Sequence, residues 1–304
     1  MILERLKYFF FYIHNDWQIG IIRTSLKNFI FSDEVPEIRW IDVDFDVYQA
    51  DPFGIEVGDK LYVFYEEFNK KNNYAVIKCS IFNEALFRID DRVILDDGTH
   101  KSFPFVFEFQ GYYYLMPESG ALHSLVIYES IDFPFKWGNE RTLLPFGCSD
   151  AIINCIDGKW YLFYTKANSS TENHCLYLRT CDQLFGDWEQ EEELMVNNDR
   201  YSSRNAGNIY RVEGSLYRFA QNCQNQYGES VVVKLIETIT KESFKEIVLF
   251  EKKLGKKYNG FHTLNATDNY TLVDRRKFSF QLKPISVLLV QLKAFIFRAK
   301  SARH

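Results

Sequence analysis

The stretch "IINCIDGKWYLFYTK", residues 152–166, has the pattern of a β-hairpin: an apolar strand, a tight Asp-Gly turn and an aromatic-rich strand. Asp-Gly and similar turns close antiparallel strand pairs because their residues tolerate a positive φ. Four more stretches have the same pattern: "GIEVGDKLYVFYEE" (54–67), "VFEFQGYYYLMPES" (106–119), "NIYRVEGSLYRFAQ" (208–221) and "LNATDNYTLVDRR" (264–276). The chain therefore repeats one supersecondary unit five times.

The spacing of the repeat predicts the fold. Alignment on the turn places a tyrosine at one equivalent position in every copy: Tyr62, Tyr114, Tyr161, Tyr217 and Tyr270. These tyrosines are 52, 47, 56 and 53 residues apart, close to the roughly 40–50 residues of a propeller blade. Strand-like segments between the copies supply third strands ("YAVIKCSIF", "SLVIYES", "HCLYLRT") and fourth strands ("VILDD", "RTLLP"). We predict an all-β, five-bladed β-propeller, which leaves few open sheet edges.

The ends of the chain set the predicted domain limits. We expect an N-terminal amphipathic extension over residues 1–14, the propeller over 15–280 and a basic amphipathic C-terminal helix over 281–304. The stretch "NDWQIGII" (15–22) must either complete the last blade or begin the first. The C-terminal "SVLLVQLKAFIFRAKSARH" (286–304) has apolar residues at helical spacing and a basic end, so it packs on the propeller or a partner, or anchors at an anionic membrane surface.

Composition limits the function classes. An apolar share of 46% supplies a sizeable core, and a net charge of -5 argues against a nucleic-acid partner. The six cysteines form no CxxC pair, and no segment has the roughly 20 apolar residues of a spanning helix. We expect a cytoplasmic protein, peripheral at the inner membrane face if the C-terminal helix binds lipid.

Polar residues cluster at one end of every predicted hairpin. In a propeller the first strand of a blade lines the channel and the second returns antiparallel, so the start of one and the end of the other share a face. The first strands start with Asp51, Ser102, Asp150, Arg204 with Asn205, and His262; the second strands end with Glu66, Glu118, Thr165, Gln221, and Asp274 with Arg275. Carboxylates, cations and aromatic rings at one mouth suit the recognition of a sugar.

The order of these motifs also resembles a known family. "ADPFGIEVGDKLYVFYEE", "HKSFPFVFEFQGYYYLMPES", "DAIINCIDGKWYLFYT", "RNAGNIYRVEGSLYRFAQNCQNQYGESV" and "GFHTLN" resemble the N-terminal propeller domain of plant glucosamine inositolphosphorylceramide transferases and its bacterial stand-alone relatives. The resemblance runs from about residue 16 to 277. It implies a fold similar to glycoside hydrolase families 43 and 130, and carbohydrate chemistry. The chain departs from the pattern at Asn222, where relatives carry Asp, but keeps His100 and Ser102.

These residues suggest a glycosyltransferase of surface polysaccharide or glycolipid synthesis, with an activated nucleotide sugar as co-substrate and a carbohydrate or lipid-linked glycan as acceptor. Asp51 or Asp150 would be the base and Glu118 the second carboxylate. Arg204 and His262 would bind the leaving group or substrate. The other expected substrate-binding residues are Asn205, Gln221, Glu66, His100, Ser102, Tyr227, Asp274 and Arg275. A family 43/130-type hydrolase or phosphorylase and a non-catalytic glycan-binding module are the alternatives.

One acidic stretch has the pattern of a metal-binding motif. "IDVDFDV" (41–47) contains two overlapping DxD triplets, which hold a metal and a nucleotide diphosphate in many transferases. Its alternation of apolar and acidic residues is also that of an ordinary strand with a solvated face. We interpret it as a strand and predict no metal-binding residues, leaving a requirement for a divalent metal open.

Overall fold

The computed structural model describes residues 11–119, 123–167, 169–170, 174–255, 258, 260–282 and 287. In this part of the chain the strands form five four-stranded sheets, one for each predicted repeat. The predicted five-bladed β-propeller is therefore confirmed. The C-terminal helix expected over 281–304 and most of the N-terminal extension lie outside the described residues.

Four blades are built from consecutive strands, and within each blade the strands follow chain order across the sheet. Blade 1 contains β3 (Val47–Val57), β4 (Lys60–Asn69), β5 (Tyr74–Asn83) and β6 (Arg88–Leu95). Blade 2 contains β7 (Ser102–Phe109), β8 (Tyr112–Glu118), β9 (Leu125–Asp132) and β10 (Lys136–Leu144). Blade 3 contains β11 (Cys148–Ile156), β12 (Lys159–Lys166), β13 (Cys175–Cys181) and β14 (Leu194–Asn198). Blade 4 contains β15 (Tyr210–Val212), β16 (Ser215–Asn222), β17 (Ser230–Ile239) and β18 (Phe244–Lys252).

The fifth blade joins the two ends of the chain. It contains β19 (Leu264–Ala266), β20 (Thr271–Leu282), β1 (Phe11–Ile22) and β2 (Arg39–Trp40), in that order across the sheet. The stretch "NDWQIGII" thus completes the last blade rather than beginning the first. This arrangement closes the ring by pairing strands from both ends of the sequence.

Short irregular segments connect β1 to blade 1. Helix α1 (Leu26–Phe31) follows β1, and the Ser25 side chain caps its first turn. Residues 41–46 form no strand, and β3 begins at Val47. The strand expected over "IDVDFDV" is therefore wrong: alternating apolar residues favour a strand only where a neighbouring strand is present to pair with them.

The repeated tyrosine explains how one strand serves both core and site. Side chains two residues apart point to the same face of a strand. Two residues after each tyrosine the side chain is almost fully buried, as seen for Phe64, Met116, Phe163, Phe219 and Leu272. Two residues further along the same face stand Glu66, Glu118, Thr165, Gln221 and Asp274. The strand face that fills the core therefore ends at the channel mouth in a polar side chain.

The described chain divides into two units. Trp17–Arg276 is one compact unit, which contains every residue of the candidate site below. Phe11–Asp16 and Lys277–Leu282 belong to the other unit. No helix among the described residues is long and apolar enough to cross a membrane.

Candidate functional site

β-Bulges aim side chains into the channel mouth. The register of the first two strands shifts between Ala50 and Phe53 in blade 1, and at the equivalent places in blades 2 and 3. Asp51, Phe103 and Asp150 occupy these bulges with φ of 54°, 43° and 49°. Such a conformation is strained for residues other than glycine, and bulges of this kind re-aim side chains next to active sites. Asp51 and Asp150 therefore have equivalent positions in two blades.

Carboxylates from neighbouring blades hold these bulges in place. Phe103 N donates to Asp51 Oδ2 (3.2 Å), and Asp150 N donates to Glu118 Oε2 (3.0 Å). Asp51 N donates in turn to Asp274 Oδ2 at 3.3 Å, across the seam between blades 5 and 1. The acids that face the mouth therefore also connect one blade to the next.

These side chains surround a cavity of about 190 Å³ at the mouth. The described residues that line it are Trp17, Tyr48, Ala50, Asp51, Glu66, His100, Ser102, Glu118, Asp150, Arg204, Tyr227 and His262. The structure thus brings together all three residues expected to be catalytic and six of those expected to bind substrate. Sequence reasoning missed Trp17, Tyr48 and Ala50. Two signals could have found them. Ala50 directly precedes the "DPF" motif and Tyr48 lies three residues before Asp51, while Trp17 lies in the stretch assigned to ring closure.

Three further sequence-predicted residues lie behind the cavity wall. Gln221 Nε2 donates to Asp150 Oδ2 (2.9 Å), and Asn205 Nδ2 donates to the Asp150 carbonyl (2.8 Å). Asp274 contacts His262 from the far side. They position residues that line the cavity rather than line it themselves.

Arg275 does not reach the cavity. Its guanidinium donates to Gln18 Oε1 (2.6 Å) and lies 4.0 Å from the centroid of the Trp40 ring. Because adjacent residues of a strand point to opposite faces, Asp274 points inward and Arg275 outward. Arg275 is therefore removed from the candidate substrate-binding residues.

Arg204 and Asp150 form a buried ion pair on the cavity wall. Arg204 Nε lies 2.6 Å from Asp150 Oδ2, with side chains 8% and 4% exposed. Burial raises the pKa of Asp150, and the Arg204 charge opposes that rise only in part. Burial would lower the pKa of Arg204, but the charge of Asp150 outweighs it and the pKa is raised. Arg204 therefore stays charged, with its guanidinium 5.3 Å from the Tyr227 ring centroid.

His262 lies between two carboxylates. Its Nε2 is 3.2 Å from Asp51 Oδ1 and its Nδ1 is 2.8 Å from Asp274 Oδ2. Burial alone would lower the pKa of His262, but the charges of Asp274 and Asp51 raise it to about 10. Burial would raise the pKa of Asp51, but the His262 charge and the Thr263 hydroxyl, 2.8 Å from Oδ1, hold it below its usual value. The group is an imidazolium between two aspartate side chains, with the Trp17 ring 3.9 Å from the His262 ring.

The same three residues form the group of potential metal ligands found in the described part of the chain. One ligand atom from each of Asp51, His262 and Asp274 lies within 4.8 Å of the others, and carboxylates with a neutral imidazole suit a divalent ion. Both nitrogens of His262 already face carboxylates, so a metal would have to displace the imidazolium proton. The arrangement fits an ion triad better than a metal centre.

Two glutamates that line the cavity have raised pKa values. Burial is the main cause that raises the pKa of Glu118, and the charge of Asp150 is the next largest; together they raise it to about 8. Burial and the charge of Asp51 raise the pKa of Glu66 well above its usual value. At pH 7 Glu118 is therefore a neutral carboxylic acid near Asp51, whose pKa is held low, and near Asp150, which is paired with Arg204. This arrangement separates the acid and base roles within one cavity.

The rim of the cavity is aromatic and partly exposed. Tyr48 is stacked on Phe68 with ring centroids 4.7 Å apart. His100 is half-exposed, with Nε2 3.8 Å from Glu66 Oε1, and burial lowers its pKa, so it is neutral at physiological pH. With Tyr227 and Trp17, these rings offer flat surfaces around a polar floor, which is the composition of a sugar site.

Comparison with known proteins shows the family of the chain. Residues 42–281 match the family model "Glucosamine inositolphosphorylceramide transferase 1, N-terminal". The chain belongs to this family. A glucosamine inositolphosphorylceramide transferase 1 from Oryza sativa subsp. indica is 32% identical over 232 residues, which cover 71% of this chain and 31% of the relative. The Arabidopsis thaliana protein of the same name is 31% identical over 205 residues, covering 65% of this chain and 26% of that protein. The chain thus corresponds to about a third of the length of these relatives.

Solved structures share the propeller fold. The catalytic domain of the Coprinopsis cinerea family 62 α-L-arabinofuranosidase superposes with a TM-score of 0.56 at 14% identity, covering 75% of this chain and 90% of that chain. A family 43 β-1,3-galactosidase with galactodeoxynojirimycin gives a TM-score of 0.54 at 13% identity, covering 71% and 83%. At these identities the likeness establishes the fold alone.

Proposed function

We propose that the central cavity binds one sugar residue and that the chain acts as a glycosyltransferase in glycan or glycolipid synthesis. The observation that carries the proposal is Glu118, protonated at pH 7, in one small cavity with Asp51 and Asp150. Membership in a family whose curated relatives are named as transferases supports transfer as the reaction.

The carboxyl groups have the protonation states that glycosyl chemistry needs. Breaking a glycosidic bond requires a proton for the departing oxygen and negative charge near the positively charged sugar carbon. Glu118 would give that proton to the donor oxygen as its bond to the sugar carbon breaks, while the acceptor hydroxyl loses its proton to an aspartate as its oxygen bonds to the same carbon. Asp51 and Asp150 would stabilise the charge on the sugar or accept the hydroxyl proton.

The size and charge of the cavity indicate its ligand. A volume of about 190 Å³ is below the roughly 300–1,000 Å³ of most ligand pockets, so one sugar ring fits and the rest of the substrate lies outside. Four carboxyl groups face the cavity, and the two cations, Arg204 and His262, are already paired with carboxylates. A neutral sugar suits this balance, as does an amino sugar such as the glucosamine in the name of the relatives.

The pairing of both cations with carboxylates changes the role expected for Arg204 and His262. A diphosphate inside the cavity would have to compete with Asp150 for Arg204 and with Asp51 for His262. We therefore assign Arg204 and His262 to holding the carboxylates in place, and we propose that the diphosphate of a nucleotide-sugar co-substrate lies outside the cavity. The proposed acceptor is a carbohydrate or lipid-linked glycan. We further propose a cytoplasmic protein, held at the inner membrane face by residues 281–304 and without a nucleic-acid partner.

Hydrolysis or phosphorolysis is the second candidate, because the same pairing of a protonated and an ionised carboxyl serves water or phosphate as the attacking group. A glycan-binding module is the third, because the chain spans about a third of its curated relatives.

Ligand-observed NMR against amino, neutral and acidic sugars, nucleotide sugars and free oligosaccharides would distinguish these functions. We expect binding of neutral or amino sugars and of nucleotide sugars that carry them, and no binding of uronic acids. Glu118→Gln should retain binding but lose turnover. Transfer from a nucleotide sugar supports the proposal, release of free sugar from an oligosaccharide supports the hydrolase, and absence of sugar binding refutes all three. If Arg204→Ala loses only the nucleotide sugars, the diphosphate lies inside the cavity and the revised role is wrong.

A further inference from the structure

A second cleft lies where two strands of blade 3 reach the mouth. It has a volume of about 400 Å³ and is lined mainly by Pro145, Phe146, Gly147 and Ala167, with His123 and Lys166 at its polar side. Phe146 and Gly147 directly precede β11, and Ala167 directly follows β12.

The cleft continues the strands that form the cavity wall. Cys148 pairs with Lys166 and Ser149 with Thr165, and Ala167 N donates to the Gly147 carbonyl at 3.0 Å. Asp150 follows Phe146 by four residues, which places the two at most about 13 Å apart along an extended chain. The cleft therefore lies at the end of blade 3 that carries Asp150, within a distance that an oligosaccharide can span.

The cleft has the chemistry of a sugar-stacking surface. The half-buried Phe146 ring is supported by Tyr164, with ring centroids 5.9 Å apart, so its orientation is fixed by packing. The Lys166 ammonium lies 5.8 Å from the Phe146 centroid and forms an ion pair with Glu193 at 2.6 Å. A Cβ on Gly147 would lie 3.3 Å from Ala167 Cβ, so the floor beside the ring stays flat only with small residues. A flat aromatic face with polar groups at its edge matches the apolar face and hydroxyl rim of a pyranose.

We infer that this cleft is a second sugar-binding subsite, which takes a further residue of the same oligosaccharide whose reacting residue occupies the central cavity. The inference rests on the proposed function and adds to it the substrate class, an oligosaccharide or glycan chain rather than a monosaccharide. The cavity holds about one ring, and the rest of a longer substrate leaves through the mouth. Blade 3 offers that substrate an aromatic surface in direct continuity with Asp150.

The test compares affinities for sugars of increasing length. The probes are glucosamine, glucose and mannose with their β-1,4-linked di- and trisaccharides, and octyl glucoside, titrated into wild type, Phe146→Ala and Tyr112→Ala. Tyr112 is an exposed aromatic at the opposite end of blade 2, so its variant controls for the loss of any surface ring. We expect the trisaccharide to bind wild type about tenfold more tightly than the monosaccharide. Phe146→Ala should lose this gain while binding the monosaccharide as wild type does, and Tyr112→Ala should keep it.

Each other outcome overturns the inference. Equal affinity for mono- and trisaccharides, or a gain that survives in Phe146→Ala, removes the cleft from the site but leaves the proposed function intact. Tight binding of octyl glucoside that depends on Phe146, without a gain from added sugars, assigns the cleft to an alkyl chain. Failure of every sugar to bind overturns the proposed function and the inference together.

Discussion

Replacing Arg204 by Met should destabilise the protein in a pH-dependent way. The change keeps an unbranched apolar stem but removes the charge that pairs with Asp150 at 2.6 Å in a wall where both side chains are nearly inaccessible. Removing one partner of a buried ion pair costs about 3–5 kcal/mol because the other charge is left uncompensated. Arg204 also opposes the burial that raises the pKa of Asp150, so that pKa rises further in the variant. A raised folded-state pKa gives stability that is complete below the unfolded value and is lost as pH rises, so the deficit should be smaller at pH 5 than at pH 8.

Equilibrium urea unfolding followed by tryptophan fluorescence measures this effect. The matched control is Arg204→Met/Asp150→Asn, in which neither position of the ion pair carries a charge and the Gln221 amide still faces residue 150. We expect the double variant to recover more than half of the lost free energy at pH 8 and little at pH 5. Equal losses at both pH values, with no recovery in the double variant, would refute the role of the ion pair.

Three further predictions follow from the site. Glu118→Gln should lower turnover about 10²–10⁴-fold and remove the activity limb near pH 8, with unfolding curves at pH 7 close to wild type; an unchanged pH profile would exclude Glu118 as the proton donor. The free energy of unfolding of the wild type should fall as pH rises from about 6.5 to about 10, because the pKa of His262 is raised to about 10 in the folded state; a His262→Gln variant with the same slope in this range would contradict that assignment. Gly228→Ala should destabilise by about 1–3 kcal/mol, since its φ is +60° and a Cβ would lie 2.6 Å from His262 Cβ; Gly58→Ala, with φ +62° and nothing within 4 Å, isolates the backbone part, and equal losses would show that the contact with His262 costs nothing.

The fold was accessible from the sequence because each blade repeats a local pattern. The tyrosine at an equivalent position of every repeat aligned all five second strands. That alignment in turn predicted which polar residue, four positions later, lies at the mouth. Arg275 was grouped with Asp274 because the two are adjacent in the chain, but adjacent residues of a strand point to opposite faces, so only Asp274 faces the channel. The strand prediction for "IDVDFDV" was wrong because the alternation of these residues is that of a strand, but residues 41–46 have no strand to pair with.

The contacts between side chains of the site could not be predicted from the sequence. The approach of His262 to Asp51 joins residues more than 200 positions apart, across the seam that closes the ring, whereas Asp274 is only 12 positions from His262. Trp17 reaches the cavity only because β1 completes the last blade beside β20. The raised pKa of Glu118 depends on its burial and on the charge of Asp150. None of these contacts leaves a local pattern in the chain. For this reason the sequence assigned Arg204 and His262 to the substrate, whereas the structure pairs them with the protein's own carboxylates.

The most direct test of the account is the protonation state of Glu118. Carboxyl carbons of glutamate labelled with ¹³C can be titrated by NMR, with Glu118→Gln identifying the resonance. We predict a midpoint of about 8, because Glu118 is buried beside Asp150. A midpoint near the ordinary 4.5 would mean that the cavity holds no neutral acid at physiological pH, and would contradict the acid role on which the proposed glycosyl chemistry depends.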